Sequence, residues 1–468
     1  MTLSALQTDL YQLTMLAGYY EHGLYEQPAT FELFFRRHPF EGNYAVFAGL
    51  QPALDYLKTL QFGTKELLWL QQLGLFKSDF LNELSKFRFT GTVIAPAEGT
   101  VVFANEPLLT IEGTLAETQF VETALLNIIN FQTLAATKAA RICHAAGTAE
   151  VIEFGLRRAQ GPDGALSLAR AAAIGGVTST SNLEAGYCFN LPVRGTHAHS
   201  WVMAFDDELS AFRAYAASFP DTCILLVDTY DTLESGLPNA LLVASELRER
   251  GHELAGVRLD SGNIAKLSRK ARQMFDQAGF PEVKIVASNE LDEYEIERIR
   301  QAGGCIDIYG VGTRLATCAG PGGGALGGVY KLVELGGHPR FKTTSDPGKS
   351  TWPGKKEIWR ATDQNNLFAT DILTACAEEP TAPEKAAHSG TQSPHFEFNK
   401  LCQIVMQGGQ QTVPAIKLEE MAAHCTTQLN RLQDRHKKTS EGAPYPVRLS
   451  PKLVELRNRH GKEHLIKP

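Results

Sequence analysis

Gly256-Val257-Arg258-Leu259-Asp260-Ser261-Gly262-Asn263 is an apolar run that stops at a polar turn, and the same form recurs one helix later. Ile264 to Ala278 has helical spacing, and Ile285-Val286-Ala287 then stops at Ser288-Asn289. Strand, polar loop, helix and strand at this length make a βα unit, the connection a parallel sheet requires. The rhythm extends both ways: Ile224-Leu225-Leu226-Val227 ends at Asp228, Ile306-Asp307-Ile308-Tyr309 ends at Gly310, and Val151-Ile152 precedes Glu153-Phe154-Gly155. Asn239 to Arg250 and Asp292 to Ala302 fit intervening helices. Residues 141–335 are therefore expected to form an irregular, partly closed parallel (β/α) barrel. An open doubly wound sheet is the alternative, but no Gly-x-Gly-x-x-Gly fingerprint follows a first strand, so a dinucleotide fold lacks direct support.

Upstream, Asp9 to Glu21 has helical spacing, Ala29 to Phe35 has strand content, Gly91 to Gly99 reads as strand and turn, and Glu117 to His144 as one or two long helices. Residues 1–140 are expected as a mixed α/β domain with linking helices. Beyond Lys331, Pro339, Pro347, Pro353, Pro380, Pro383 and Pro394 break up a charged stretch. Residues 336–468 are expected as a loop-rich C-terminal extension packed on the first two domains, and the fold class is α/β.

The 468 residues are 43% hydrophobic, enough for a sizeable core, and carry a formal charge of -7. That balance argues against nucleic acid or an anionic membrane surface as a partner, while a local basic cluster could still hold a phosphorylated metabolite. The eight cysteines include no Cys-x-x-Cys pair, Met1-Thr2-Leu3-Ser4 does not begin a basic region and apolar run, and no stretch of about 18 apolar residues occurs. The expectation is a cytoplasmic protein with reduced thiols.

Polar groups gathered at strand ends are where barrel and α/β enzymes work. Arg258 and Asp260 flank Leu259, so on a strand they point the same way, and a Ser-Gly-Asn turn follows. An arginine fork beside a carboxylate suits a phosphate, a ribose hydroxyl pair or a magnesium ion, or makes an ordinary structural ion pair. Gly310 and Gly312 with Thr313 come between a strand and a possible helix start, where exposed amides could cradle a phosphate or form a plain turn. Arg157 and Arg158 follow Glu153-Phe154-Gly155; adjacent arginines are usually solvated, but at a barrel mouth one could fix a carboxylate or phosphate. In Thr196-His197-Ala198-His199-Ser200-Trp201, two histidines sharing a strand face could suggest a metal pair, yet no third ligand is evident, and a histidine next to Ser and Trp could equally be a satisfied core residue. One histidine acting as base or as nucleophile toward phosphate needs only a carboxylate partner. Cys376, Cys402 and Cys425 with His388, His395 and His424 are too widely spaced for a compact zinc site.

Several segments in order resemble nicotinate phosphoribosyltransferase: Thr8-Asp9-Leu10-Tyr11-Gln12-Leu13-Thr14-Met15, Phe31 to Arg37 with Tyr44 to Leu50, Glu153-Phe154-Gly155-Leu156-Arg157-Arg158-Ala159, Gly195 to Ser200, and Arg258 to Asn263. The resemblance continues through Ile308 to Thr313 and Asp346-Pro347-Gly348-Lys349 to Pro353-Gly354-Lys355-Lys356, covering most of the chain. It implies conversion of nicotinate and phosphoribosyl pyrophosphate to nicotinate mononucleotide and pyrophosphate, coupled to ATP, with Mg2+ as cofactor. By that likeness His199 becomes the phosphohistidine and Asp228, or a nearby carboxylate, orients its ring. Arg157 helps hold the carboxylated pyridine, which stacks on Tyr11 from the other subunit of a homodimer. Asp260 meets the ribose hydroxyls, Arg258 lies near the phosphates, Ser288 and Asn289 line the ribose side, and Gly310, Gly312 and Thr313 receive the 5-phosphate. Ser181 and Asn182 are candidate substrate contacts: the amide-using relatives have an aspartate in the region reading Thr180-Ser181-Asn182, and its absence favours the acid. The alternatives are nicotinamide phosphoribosyltransferase, a quinolinate enzyme of shorter chain, a barrel-shaped binding protein without activity, and a sugar-phosphate isomerase or aldolase. The last would want a Schiff-base lysine or three metal ligands at the mouth.

Overall fold

The computed structural model describes residues 4–342, 351–380 and 396–466. Asp346 to Lys349, Pro383, Pro394, His388 and His395 lie outside the described residues. The chain divides into two units, one holding residues 135–324 and the other everything before 135 and after 324. The division falls inside the helix Glu122–Ala146.

Residues 135–324 carry six parallel strands in the order Ser179–Thr180, Glu150–Glu153, Ile308–Val311, Lys284–Ala287, Gly256–Leu259, Ile224–Leu226. Strands covered on both faces must be apolar throughout, and Leu225, Val257, Leu259, Ile285 and Ala287 are completely buried. Ile152, Val286 and Ile308 form one core cluster, with Phe154 and Ile224 packed against it. Among the described residues no ladder joins Ser179–Thr180 to Ile224–Leu226, so the hydrogen-bonded sheet is open. The parallel sheet is as the βα rhythm implies; the partial closure into a barrel is not part of its ladders.

The helices between these strands start where a side chain can satisfy orphan N–H groups. Asn263 Oδ1 accepts from Lys266 N at the head of Ile264–Gln277, and Asp292 Oδ1 accepts from Tyr294 N and Glu295 N at the head of Glu293–Gln301. Ile264–Gln277 buries Ile264, Ala265, Ser268, Ala271 and Phe275, the single face its spacing predicts. The polar loops after Gly256–Leu259 and Lys284–Ala287 are thereby pinned between a strand end and a capped helix.

The other unit is built from both ends of the chain. Its seven-stranded sheet runs His338–Pro339, Gly328–Leu335, Pro28–Phe35, Leu109–Thr114, Thr92–Ala95, Gln403–Gln407, Gln410–Gln411. Pro28–Phe35 lies between Leu109–Thr114 and Gly328–Leu335, antiparallel to both. The C-terminal part therefore supplies strands to the N-terminal sheet. A buried ion pair, Lys356 Nζ to Glu32 Oε2 at 2.8 Å, ties the two chain segments again. A second sheet, ordered Glu397–Lys400, Lys356–Thr362, Phe368–Ala375, Val447–Leu449, and a two-stranded one of Ala45–Val46 and Val101–Val102 belong to the same unit.

Candidate functional site

The C-terminal ends of the parallel strands deliver the polar residues, and the loops after them are shaped by close packing. After Ile224–Leu226 the chain runs through Val227-Asp228-Thr229 into a π-turn, Thr232–Gly236, capped by the Asp231 side chain on Leu233 N and Glu234 N. A Cβ on Gly236 would stand 1.9 Å from Val227 O, so only glycine lets that turn close against the strand end. Asp228 is thus fixed with its side chain buried; Oδ2 accepts from Asp260 N at 2.9 Å and from Ser261 Oγ at 2.6 Å. Its Oδ1 is buried without a hydrogen-bond partner, a costly state that marks a place where something else donates or coordinates.

Asp228 Oδ1 faces His199. The ring's Nε2 stands 4.0 Å from Asp228 Oδ1 and 3.8 Å from Asp260 Oδ2, while Nδ1 is 3.1 Å from Thr229 Oγ1. His199 opens the short helix His199–Met203 and its side chain is 41% exposed, so the imidazole is both oriented and reachable.

Arg258 is held from four sides. Nε donates to Ser288 Oγ at 2.8 Å, Nη1 to Thr196 Oγ1 at 3.0 Å and Nη2 to Asp260 Oδ1 at 2.9 Å, and the guanidinium lies 5.5 Å from the centroid of Phe154. Ser288 Oγ donates to Asp260 Oδ1, closing a three-membered ring of contacts. Asn289 follows at φ 87° and Glu290 at φ 41°, left-handed values that turn the chain sharply away after Ser288. Asp260 Oδ2, the other carboxylate oxygen, remains toward His199.

Some residues singled out in the sequence do other work. His197 and His199 do not share a strand face: His197 Nε2 accepts from Leu226 N at 3.2 Å, Nδ1 lies 3.3 Å from Ala198 O, and the ring packs edge-on to Tyr215. Both nitrogens are used, and burial lowers its pKa, so it is a neutral core histidine that braces the Leu226 strand end. Asn182 is a helix cap, its Oδ1 accepting from Glu184 N and Ala185 N, and Ser181 beside it donates its backbone N–H to Glu153 O. Gly310 lies within the strand Ile308–Val311, where an added Cβ would meet Phe154 Cε2 at 2.5 Å. Its missing side chain makes room for the ring beneath Arg258. Gly312 precedes the one-turn helix Thr313–Ala316 and Thr313 is its first residue. Arg157 is exposed on the 3-10 turn Leu156–Arg158, and Tyr11, 47% exposed on Leu10–Glu21, belongs to the other unit.

Thr229, Thr196, Phe154 and Glu153 were not given roles by the sequence. Glu153 is 1% exposed; its carboxylate accepts from Gly155 N and from Thr180 Oγ1, and burial pushes its pKa above the usual range. It ties the end of one strand to the start of the 180–182 loop. Thr229 follows Asp228, the polar residue that ends its apolar run, and that adjacency was the signal available for it. Among the described residues no group of three or more His, Cys, Asp or Glu side chains could hold a metal ion by itself, in this unit or near Cys402 and His424.

Comparison with known proteins gives one consistent result. The models for the nicotinate phosphoribosyltransferase N-terminal domain, family and C-terminal domain match residues 6–130, 149–369 and 355–457. The nicotinate phosphoribosyltransferase of Bacillus subtilis (strain 168) is 43% identical over 458 residues, covering 95% of this chain and 93% of that protein. The Homo sapiens enzyme of the same name is 36% identical over 519 residues, 97% and 96% of the two chains. The crystal structure of human nicotinic acid phosphoribosyltransferase superposes with a TM-score of 0.82 at 33% identity, over 97% of this chain and 99% of that one. Nicotinate-nucleotide pyrophosphorylase from Pyrococcus furiosus, at TM-score 0.69, 23% identity and coverage of 91% and 95%, shares the fold.

Proposed function

The chain belongs to the nicotinate phosphoribosyltransferase family, and from that premise we propose that the cluster of His199, Asp228, Arg258 and Asp260 is where it works. The reaction joins nicotinate to phosphoribosyl pyrophosphate, giving nicotinate mononucleotide and pyrophosphate in the synthesis of NAD. Nicotinate attacks through its ring nitrogen and needs no base to deprotonate it. The C1–O bond to pyrophosphate breaks as the C1–N bond forms, and positive charge builds on the ribose ring. Orientation and electrostatics are what the protein must supply.

Asp260 Oδ2 is the oxygen available for ribose hydroxyls, and Ser288 lies beside it with Asn289 following. Arg258, already turned toward Asp260 and Thr196, lies near the phosphates. Gly312 and Thr313, with Gly310 behind them, receive the 5-phosphate at the start of Thr313–Ala316. Arg157 is exposed and free to meet the nicotinate carboxylate. Ser181 and Asn182 border that end, and the nearby Glu153 carboxyl is consumed by Thr180 and Gly155, which favours an acid over the amide of the nicotinamide alternative. Tyr11, exposed on its helix, would be lent by one subunit of a homodimer to the site of another.

The observation that carries the coupling to ATP is the His199 ring held between Thr229 Oγ1 and two carboxylates, one with an unpartnered buried oxygen. An imidazole so oriented can attack the γ-phosphorus of ATP: the N–P bond forms, the bond to ADP breaks, and ADP leaves. The same buried oxygen fits Mg2+, which takes one or two carboxylates and completes its shell with water and substrate phosphates. Asp228 and Asp260 would hold it; when bound it spreads the charge of the leaving pyrophosphate. No described helix is long and apolar enough to cross a membrane, and a cytoplasmic site of action fits soluble substrates.

Pyrophosphate release is measured with nicotinate, nicotinamide or quinolinate as acceptor, each with and without ATP. The expected result is release that requires nicotinate and rises with ATP. Release with the amide alone would overturn the acid selectivity. His199→Asn should lose the ATP stimulation more completely than basal transfer; equal loss of both would remove the phosphohistidine.

A further inference from the structure

Within the unit formed by the two ends of the chain, the strands Lys356–Thr362 and Glu397–Lys400 and the helix Leu418–Arg431 line a cavity of about 320 Å3, the size of small-molecule sites. Arg360, Lys400, Arg431 and His424 line it, and no described lining residue is a carboxylate. The acids that balance these cations stand outside the lining: Asp371 accepts from Arg360 Nε and Nη2, and Glu357 Oε1 accepts from Lys400 Nζ at 2.8 Å. The surface presented to the cavity is therefore electropositive although its surroundings are nearly neutral.

A second observation concerns Phe368, 1% exposed at the cavity wall. Both Arg360 and Arg431 stand over its ring, their guanidinium carbons 4.6 and 4.8 Å from the centroid. Arg360 is balanced there by Asp371, which leaves Arg431 as the guanidinium at this ring whose charge an anion in the cavity would offset. Arg431 has only Asn366 O as a hydrogen-bond acceptor, at 3.0 Å, and no ion-pair partner among the described residues. Gln428 gives its Oε1 to Arg360 Nη1 and keeps its amide N–H groups. The charged side chains of the lining are all cationic, and Arg431 and Gln428 keep N–H donors for a ligand, which suits an anion.

We propose that this cavity binds a compact oxyanion, phosphate or a small dicarboxylate, through Arg431, Lys400 and Gln428, and that it is a second ligand site sharing no residue with the His199, Arg258 and Asp260 cluster. His424 reports on it. Its Nε2 is 3.0 Å from Thr100 Oγ1, and burial with the nearby charge of Arg360 lowers its pKa. A bound anion must raise it.

The experiment tracks the His424 imidazole resonance of the full chain by NMR, assigned with His424→Asn, while inorganic phosphate or malonate is added. A saturable shift with a raised His424 pKa is expected, unchanged in an Arg258→Gln background. Arg431→Gln should weaken binding at least about tenfold, the worth of one charge-assisted hydrogen bond. Lys400→Gln, on an exposed side chain, should also weaken it with the thermal midpoint unchanged. Saturation by phosphate only or malonate only assigns the ligand class. No saturable shift with either anion, a shift that survives both substitutions, or one lost in Arg258→Gln overturns the proposal.

Discussion

Arg258 with Asp260 and Arg360 with Asp371 pair the same two functional groups at 2.9 and 2.6 Å, yet they stand in opposite settings. Arg360 and Asp371 face each other across an antiparallel ladder, register partners in mid-strand, 4% and 0% exposed. Tyr445 donates to Asp371 Oδ1, Gln428 accepts from Arg360, and burial together with the nearby Asp371 pushes the pKa of Glu106 well up. Arg258 and Asp260 sit at the end of a parallel strand, 16% and 29% exposed, with Asp260 Oδ2 left toward His199. An ion pair in mid-ladder has its valences filled by the sheet around it. One at a strand end, where the ladder stops, keeps an oxygen for a ligand.

If that contrast holds, the two pairs must fail differently. Asp371→Asn breaks the buried bidentate pair with Arg360 and should cost about 3–5 kcal/mol of stability by denaturant unfolding; a loss under about 1 kcal/mol would erase the distinction. Arg258→Gln should change stability by no more than about 1 kcal/mol while kcat/KM falls about 10²–10³-fold, the scale of a lost charge-stabilising contact. Gly310→Ala sharpens the comparison from below. Its methyl displaces Phe154, the ring under Arg258, so about 1–3 kcal/mol of stability should be lost and the KM for phosphoribosyl pyrophosphate should rise with it; an unchanged KM would uncouple Phe154 from the site. The smallest effect belongs to His197. Because its pKa is lowered by folding, its contribution is complete above the ordinary value of 6.5 and is lost as pH falls through 6.5 toward its native value. One such proton gives a slope of at most about 1.4 kcal/mol per pH unit, which His197→Asn should flatten.

How much of this was legible depends on range in sequence. The βα units were readable because apolar runs and helical spacing are local, and Arg258 and Asp260 could be paired from two-residue alternation alone. Gly310 and Asn182 were recognised as special positions, but their reasons, a ring 2.5 Å from an absent Cβ and a pair of orphan N–H groups, depend on packing and capping. His197 fell out of its expected strand because Leu226 N, nearly thirty residues away, takes its Nε2. The partnership of Pro28–Phe35 with Gly328–Leu335 was invisible, since nothing in an apolar strand names the strand three hundred residues later that completes it.

That partnership also orders events during synthesis. Residues 135–324 are continuous, so their parallel sheet can be completed as soon as the strand Ile308–Val311 has emerged from the ribosome. Pro28–Phe35, made far earlier, must wait with one edge bare until Gly328–Leu335 arrives. A nascent chain stalled between those two points would carry a finished parallel sheet and a sticky, half-built antiparallel one, making this interval the one in which a chaperone has most to protect.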